Sequence, residues 1–260
     1  PGNGWSRHDP EWPAHPGHRD EPGPGIPVED GCVMAITYHH DIVQGTQQWL
    51  DIRLGLLTAS EMCRIITPST LKAAANDEMR AHVYEIAAQR ISQYVEPAYV
   101  GDDMLRGQED EIDARDLYRE RYGPTEECGF ITNDEFGFKI GYSPDGLVGD
   151  DGLIEIKSRR QHFQVETTIK GVVPTKHAIQ VQTGLLVSRR NWCDFVSYSA
   201  GLPMDVITAE PIAEFQEAIV AAATAFEAKV ADAIEAYHAA VKRRGLAPTE
   251  RRLERELISI

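Results

Sequence analysis

The chain has 260 residues, is 42% hydrophobic and carries a formal net charge of −15. That length and apolar content suffice for one substantial core, and no apolar run approaches the roughly 20 residues that span a bilayer. The acidic balance counts against a purely electrostatic nucleic-acid binder, although a basic groove on an acidic body stays compatible with one.

Residues 1–33 are crowded with Pro, Gly, His and charge and show no periodicity. Such a composition cannot bury enough apolar surface to offset its ordering entropy. Met34 is the expected natural start, residues 1–33 an expected disordered extension (native or added by cloning), and 34–260 one expected domain. The segment "TQQWLDIRLGLLTASEMCRII" from Thr46 predicts two helices broken at Gly55, the second capped by Thr58 or Ser60 with Glu61 in its first turn. Residues 75–94 place Met79, Val83, Ile86, Ala87 and Ile91 near helical spacing, and 105–123 do the same with Ile112, Ala114, Leu117 and Tyr118 before stopping at Gly123-Pro124.

From Cys128 the pattern changes. "CGFITNDEFGFKIGYSPDG" and "GLIEIKS" hold short β-type runs parted by turn residues, which predicts a strand meander. Residues 175–188 predict a helix, 192–200 a strand, and the Ala-rich run 212–244, free of Gly and Pro, a long C-terminal helix. The expected fold class is α/β, a small mixed sheet flanked by helices. The cysteines at 32, 63, 128 and 193 form no Cys-x-x-Cys pair, which points to reduced thiols in a cytoplasmic protein. No secretory leader pattern is expected.

In "SPDGLVGDDGLIEIKS" (143–158), the strand period of two puts Glu155 and Lys157 on one face and Ile154 and Ile156 on the other. Asp145 sits in the preceding turn. Two converging carboxylates are hard ligands suited to Mg²⁺ or Mn²⁺. A neighbouring lysine suits phosphodiester hydrolysis, either by easing deprotonation of water or by neutralising developing charge. A charged surface hairpin explains the same residues when they are taken alone.

Four blocks in order add context: "QWLDIRLGLLTASE", "RGQEDEIDARDLY", "YSPDGLVGDDGLIEIKS" and "AIQVQTGLLVSRRNW". Over about residues 44–200 the chain resembles the PD-(D/E)XK nuclease superfamily, and within it the phage lambda exonuclease and YqaJ-type viral recombinase family. The resemblance implies a restriction-endonuclease-like core with Asp145, Glu155 and the Ile156 carbonyl as metal ligands and Lys157 as catalytic lysine. It adds Glu111 as a further acidic ligand, with Glu109 competing, and leaves open whether Asp134 or Glu135 joins. Gln182, rather than Gln180, is the expected contact to the lysine or the DNA.

A phosphate pocket is expected from Arg53, Ser60 and Ser143, since a guanidinium grips phosphate bidentately and a helix N-terminus favours anions. Arg159 and Arg160, with Lys170, Lys176, Arg189 and Arg190 nearby, supply expected DNA-backbone contacts. Trp49 and Trp192 are expected in the core, and His162 and His177 outside any ligand set. The implied activity is a Mg²⁺-dependent 5′-to-3′ exonuclease on linear double-stranded DNA, leaving 3′ tails for a single-strand annealing recombinase, as a ring-shaped homotrimer and without a membrane. Alternatives are another PD-(D/E)XK endonuclease, an iron–sulfur-bearing relative (disfavoured by the scattered cysteines), or a catalytically silent DNA-binding module.

Overall fold

The computed structural model describes residues 36–96 and 101–251, so the expectations for residues 1–33 and Met34 fall outside it. The N-terminal elements are β1 (Ile36–His39), α1 (Gln47–Arg53), β2 (Leu57–Thr58), a 3-10 turn (Ala59–Glu61), α2 (Met62–Ile65), β3 (Ile66–Thr67), β4 (Lys72–Ala73), α3 (Asp77–Ser92) and α4 (Asp102–Arg121). There follow β5 (Phe130–Asn133), β6 (Ile140–Tyr142), β7 (Gly146–Val148), β8 (Gly152–Ser158), α5 (Gln161–Lys170), α6 (Thr175–Ser188), β9 (Trp192–Tyr198), β10 (Asp205–Ala209) and α7 (Ala213–Arg244). The fold is mixed α/β, with the long C-terminal helix in its expected place.

Local chemistry sets several boundaries. Asn76 caps α3, its side-chain oxygen accepting the Met79 N–H at 2.9 Å. α7 ends at Gly245, whose φ of +59° is left-handed and closes the last turn. The second expected N-terminal helix shrinks to a 3-10 turn and the four residues of α2. Leu57 and Thr58 are instead extended, paired in parallel with Ile140 and Gly141.

The strands form two four-stranded sheets, ordered β1-β5-β6-β2 and β10-β9-β8-β7, and a two-stranded β3-β4 pair, where one sheet was expected. β2–β6 and β8–β9 are parallel pairs and the remainder antiparallel. α6 packs against β5 and β6 of one sheet and β9 of the other, while α4 covers β8 and β9. The larger core gathers Leu57, Ile131, Tyr142, Leu153, Leu185, Phe195 and Phe226. A smaller one joins Ala114 and Tyr118 of α4 to Ile154, Ile156 and Val196.

β8 is thus buried on both faces, which explains its apolar run. Ile154 and Ile156 enter the smaller core as expected. Glu155 and Lys157 share the face of Leu153, toward the larger core, so Glu155 is only 1% exposed.

α5 and β10 are absent from the sequence expectations. α5 inverts the usual pattern: Gln164 and Thr167 are its buried residues, while Val165 and Ile169 face solvent. Gln164 is satisfied there by the Ser197 and Pro203 carbonyls at 3.0 and 2.8 Å. Among the described residues no helix is long and apolar enough to cross a membrane.

Candidate active site

The β7–β8 hairpin, registered by Gly146 opposite Ile154, brings Asp145 against β8. Its Oδ2 accepts the Ile156 N–H at 2.5 Å. Glu155 Oε1 accepts Lys157 Nζ at 2.6 Å and also the Gln180 amide. Glu155 Oε2 accepts the Tyr142 hydroxyl at 2.9 Å. Asp145 Oδ1 and one lone pair on Glu155 Oε2 remain beyond these bonds.

Burial, then Glu155 and Glu111, push the Asp145 carboxyl well above the usual carboxylate range, against Lys157 and the Ile156 N–H. Burial pulls the Lys157 ammonium down, but Glu155 and Asp145 outweigh it and hold the group above an ordinary lysine. Two carboxylates, Asp145 and Glu155, thus line one cleft with Lys157, whose charged form they favour. That excess of hard oxygen ligands fits a divalent cation, with Asp145 and Glu155 as its holders. Ile156 presents its N–H to Asp145; a role for its carbonyl rests on the resemblance.

α4 brings Glu111 within electrostatic reach of Asp145, Glu155 and Lys157 but not into the cleft lining. The helix is docked by Ser158 Oγ donating to Asp110 at 2.5 Å and Tyr118 OH donating to Asp194 at 2.7 Å. Burial raises the Glu111 carboxyl, against Arg115, with which it pairs, and Lys157. Asp145, Glu155 and Glu111 are not all within 4.8 Å of one another. Among the described residues the grouping that meets this distance is Glu61, His82 and Glu85. There Thr58 donates to Glu61 at 2.7 Å and Arg64 to Glu85 at 2.8 Å, so an internal hydrogen-bond network accounts for it. Glu109 is exposed.

Beside the carboxylates, Ser143 Oγ accepts the Trp49 indole N–H at 2.9 Å and an Arg53 N–H at 3.4 Å. The Arg53 guanidinium lies 4.1 Å from the centre of the Trp49 ring. With both lone pairs engaged, the Ser143 hydroxyl offers only its proton, so this pocket presents donors and favours an anion. One cleft of about 180 Å³ is lined by both groups: Arg53, Ser60 and Ser143, and Asp145, Glu155 and Lys157. A larger groove of about 440 Å³ beside Met79, Val83 and Tyr84 carries only exposed charges, Arg80, Lys229 and Asp232, and lacks a comparable donor set.

Other sequence expectations need correction. Ser60 lies in the cleft but heads no sustained helix, and Thr58, whose proton goes to Glu61, takes the Ser60 hydroxyl as donor at 3.2 Å. Gln180, not Gln182, reaches Glu155. The buried Gln182 amide donates to the Glu210 carbonyl and accepts the Ile212 N–H, both at 2.8 Å, fastening α6 to the start of α7. Gln182→Ala is accordingly expected to lower stability by about 1–3 kcal/mol through unpaired backbone groups, read by denaturant unfolding, while leaving metal binding unchanged.

Arg159 is 7% exposed and bound to the Phe163 carbonyl and Thr167 hydroxyl, so it ties β8 to α5 rather than facing DNA. Arg160 is exposed at the head of α5. Arg189 pairs with Glu135 and Lys170 with Glu166, and Arg190 bonds the Gly149 and Gly152 carbonyls. Much of the local basic density therefore serves the fold, and the pairing with Arg189 accounts for Glu135.

His177, in the first turn of α6, stacks on Phe195 at 5.5 Å. Burial, then Lys157, Lys176 and Arg159, lower its pKa to about 3. Unfolding lets it protonate near its ordinary value of about 6.5. Its contribution therefore erodes stability as pH falls from there toward 3. His177→Leu is expected to flatten that limb of a melting-temperature-against-pH curve; an unchanged limb would show that His177 is not its source.

Solved structures of nucleases share this architecture. An alkaline exonuclease (LHK-Exo) from Laribacter hongkongensis matches with TM-score 0.68 and 30% identity over 76% of this chain and 100% of that one. Its complex with dAMP matches with TM-score 0.68 and 32% identity over the same shares. A phage related exonuclease from Haemophilus somnus 129PT, at TM-score 0.53 and 14% identity over 70% of this chain and 96% of that one, shares the fold. No curated protein sequence matches. The fold and its acidic cleft define a restriction-endonuclease-like core of the PD-(D/E)XK class. The family model described as YqaJ-like viral recombinase domain matches residues 48–191, and the chain belongs to that family.

Proposed function

We propose that residues 34–260 form a Mg²⁺-dependent exonuclease that degrades one strand of linear duplex DNA from its 5′ end. The observation that carries this reading is a single cleft holding Asp145, Glu155 and Lys157 beside the donor pocket of Arg53 and Ser143. Asp145 and Glu155, with Glu111 in support, would hold a divalent ion, which would supply Lewis acidity for phosphodiester cleavage. Lys157, hydrogen-bonded to Glu155 and with its charged form favoured by Glu155 and Asp145, serves as a donor to the phosphate oxygens and the attacking water. Gln180 shares Glu155 Oε1 with Lys157 and limits where the ammonium sits.

Arg53 and Ser143 bind the terminal 5′-phosphate and set the strand that is cut. The dAMP complex of the Laribacter hongkongensis exonuclease supports a deoxymononucleotide product. Family membership supports a recombination role in the cytoplasm, with 3′ tails passed to a single-strand annealing partner and the chain acting as a homotrimer around DNA. Arg160, exposed at the head of α5, is proposed to contact the DNA backbone.

Duplexes with 5′-phosphate or 5′-hydroxyl ends and a 3′ label test the polarity. The wild type should prefer the phosphate and release the 3′ label last. Arg53→Ala should reduce the preference about tenfold to a hundredfold, the range of a charge-assisted hydrogen bond. An unchanged preference would place the phosphate pocket elsewhere, and early loss of the 3′ label would reverse the polarity.

A further inference from the structure

We propose that Tyr142 is a positioning residue whose hydroxyl fixes the Glu155 carboxylate and thereby sets the cleft's affinity for a divalent cation; this rests on reading Asp145 and Glu155 as the metal-holding pair. Tyr142 is fully buried at the end of β6, 1% exposed, and its hydroxyl donates to Glu155 Oε2 at 2.9 Å. Gln180 and Lys157 both engage the other oxygen. The carboxylate is therefore held from both ends. Without Tyr142, Oε2 has no bond opposing rotation of the carboxylate about its Cγ–Cδ axis toward the Lys157 ammonium.

A second feature points to the same ring. Gly184 lies inside α6, where glycine is unfavourable to the helix. A Cβ there would meet the Tyr142 ring at 2.7 Å. The helix gives up a better helix former where the tyrosine must pass. The sequence shows neither point, because an isolated Tyr before Ser-Pro-Asp and a lone helical Gly carry no pattern.

The test is Mn²⁺ binding to the full chain without DNA, measured by electron paramagnetic resonance of the free ion, alongside melting temperature in EDTA. Tyr142→Phe keeps the ring and removes the hydroxyl. It should weaken Mn²⁺ binding about tenfold to a hundredfold, as loss of a hydrogen bond to a ligating carboxylate does. Gly184→Ala keeps the hydroxyl but displaces the ring, and should weaken binding in the same direction. Asp145→Asn is the control for the underlying reading.

If Asp145→Asn abolishes binding while Tyr142→Phe and Gly184→Ala bind like wild type, Tyr142 is a packing residue and the proposal is overturned with the metal site intact. A lower melting temperature with unchanged Mn²⁺ affinity overturns it in the same way. If Asp145→Asn binds Mn²⁺ like wild type, the metal reading itself falls and the proposal with it.

Discussion

Lys157→Ala is expected to lower the cleavage rate about a thousandfold, within the range that positioned proton-transfer or charge-stabilising groups contribute. DNA binding should persist, because the donors of the phosphate pocket, Arg53 and Ser143, are separate from it. Among the described residues Lys157 is the one cation bonded directly to Glu155, at 2.6 Å. Its loss leaves Glu155 and Asp145 without their shared counter-charge, while Glu111 keeps its pair with Arg115. The divalent ion should then still bind, even more tightly, while turnover collapses. Cleavage within tenfold of wild type in a single-turnover assay would remove Lys157 from the mechanism.

Asp145→Asn is expected to abolish metal-dependent cleavage and, in EDTA, to raise the melting temperature. The Asn carbonyl can still accept the Ile156 N–H that Asp145 Oδ2 accepts at 2.5 Å, so the hairpin is kept. The sign follows from linkage. The folded-state pKa of Asp145 is raised by burial and by Glu155 and Glu111 above its unfolded value of about 3.9. The protonated form then stabilises the fold below that value, and this stabilisation is lost as pH rises through the folded pKa. As pH rises the metal-free wild type loses this stabilisation, whereas the uncharged Asn side chain does not titrate. The gap should close toward pH ~4, the unfolded value, and added Mg²⁺ should stabilise only the wild type. Thermal melts across pH in EDTA and in Mg²⁺ check this. A variant less stable than wild type throughout the pH range would mean that the carboxylate is already compensated.

Residues governed by strand period and turn chemistry were legible in the sequence. The spacing of Glu155 and Lys157 set their common face, and Pro144-Asp145-Gly146 marked the turn that brings the carboxylate to β8. Long helices with regular periodicity, α3, α4, α6 and α7, were also visible. Contacts made across the fold were not. Trp49 looked like a core residue, yet its indole nitrogen bonds Ser143. Gln180 and Gln182 are indistinguishable by spacing, and only the close approach of Glu210 and Ile212 to α6 decides which amide is free to meet Glu155. Arg159 looked like a surface cation because α5, with its buried Gln164 and Thr167, has no apolar stripe to announce the helix that covers it. The partners of the clustered basic residues were hidden for a related reason: Arg189, Arg190 and Lys170 bond groups distant or helical in the chain.

Incubating matched linear and covalently closed circular duplexes with the protein, in Mg²⁺ and in EDTA, tests the proposed cleft chemistry and its need for a DNA end together. Linear DNA should be degraded to mononucleotides in Mg²⁺ alone, with the closed circle untouched and the Lys157→Ala protein inert on both. Cutting of the closed circle, or degradation that continues in EDTA, would contradict a metal-dependent exonuclease.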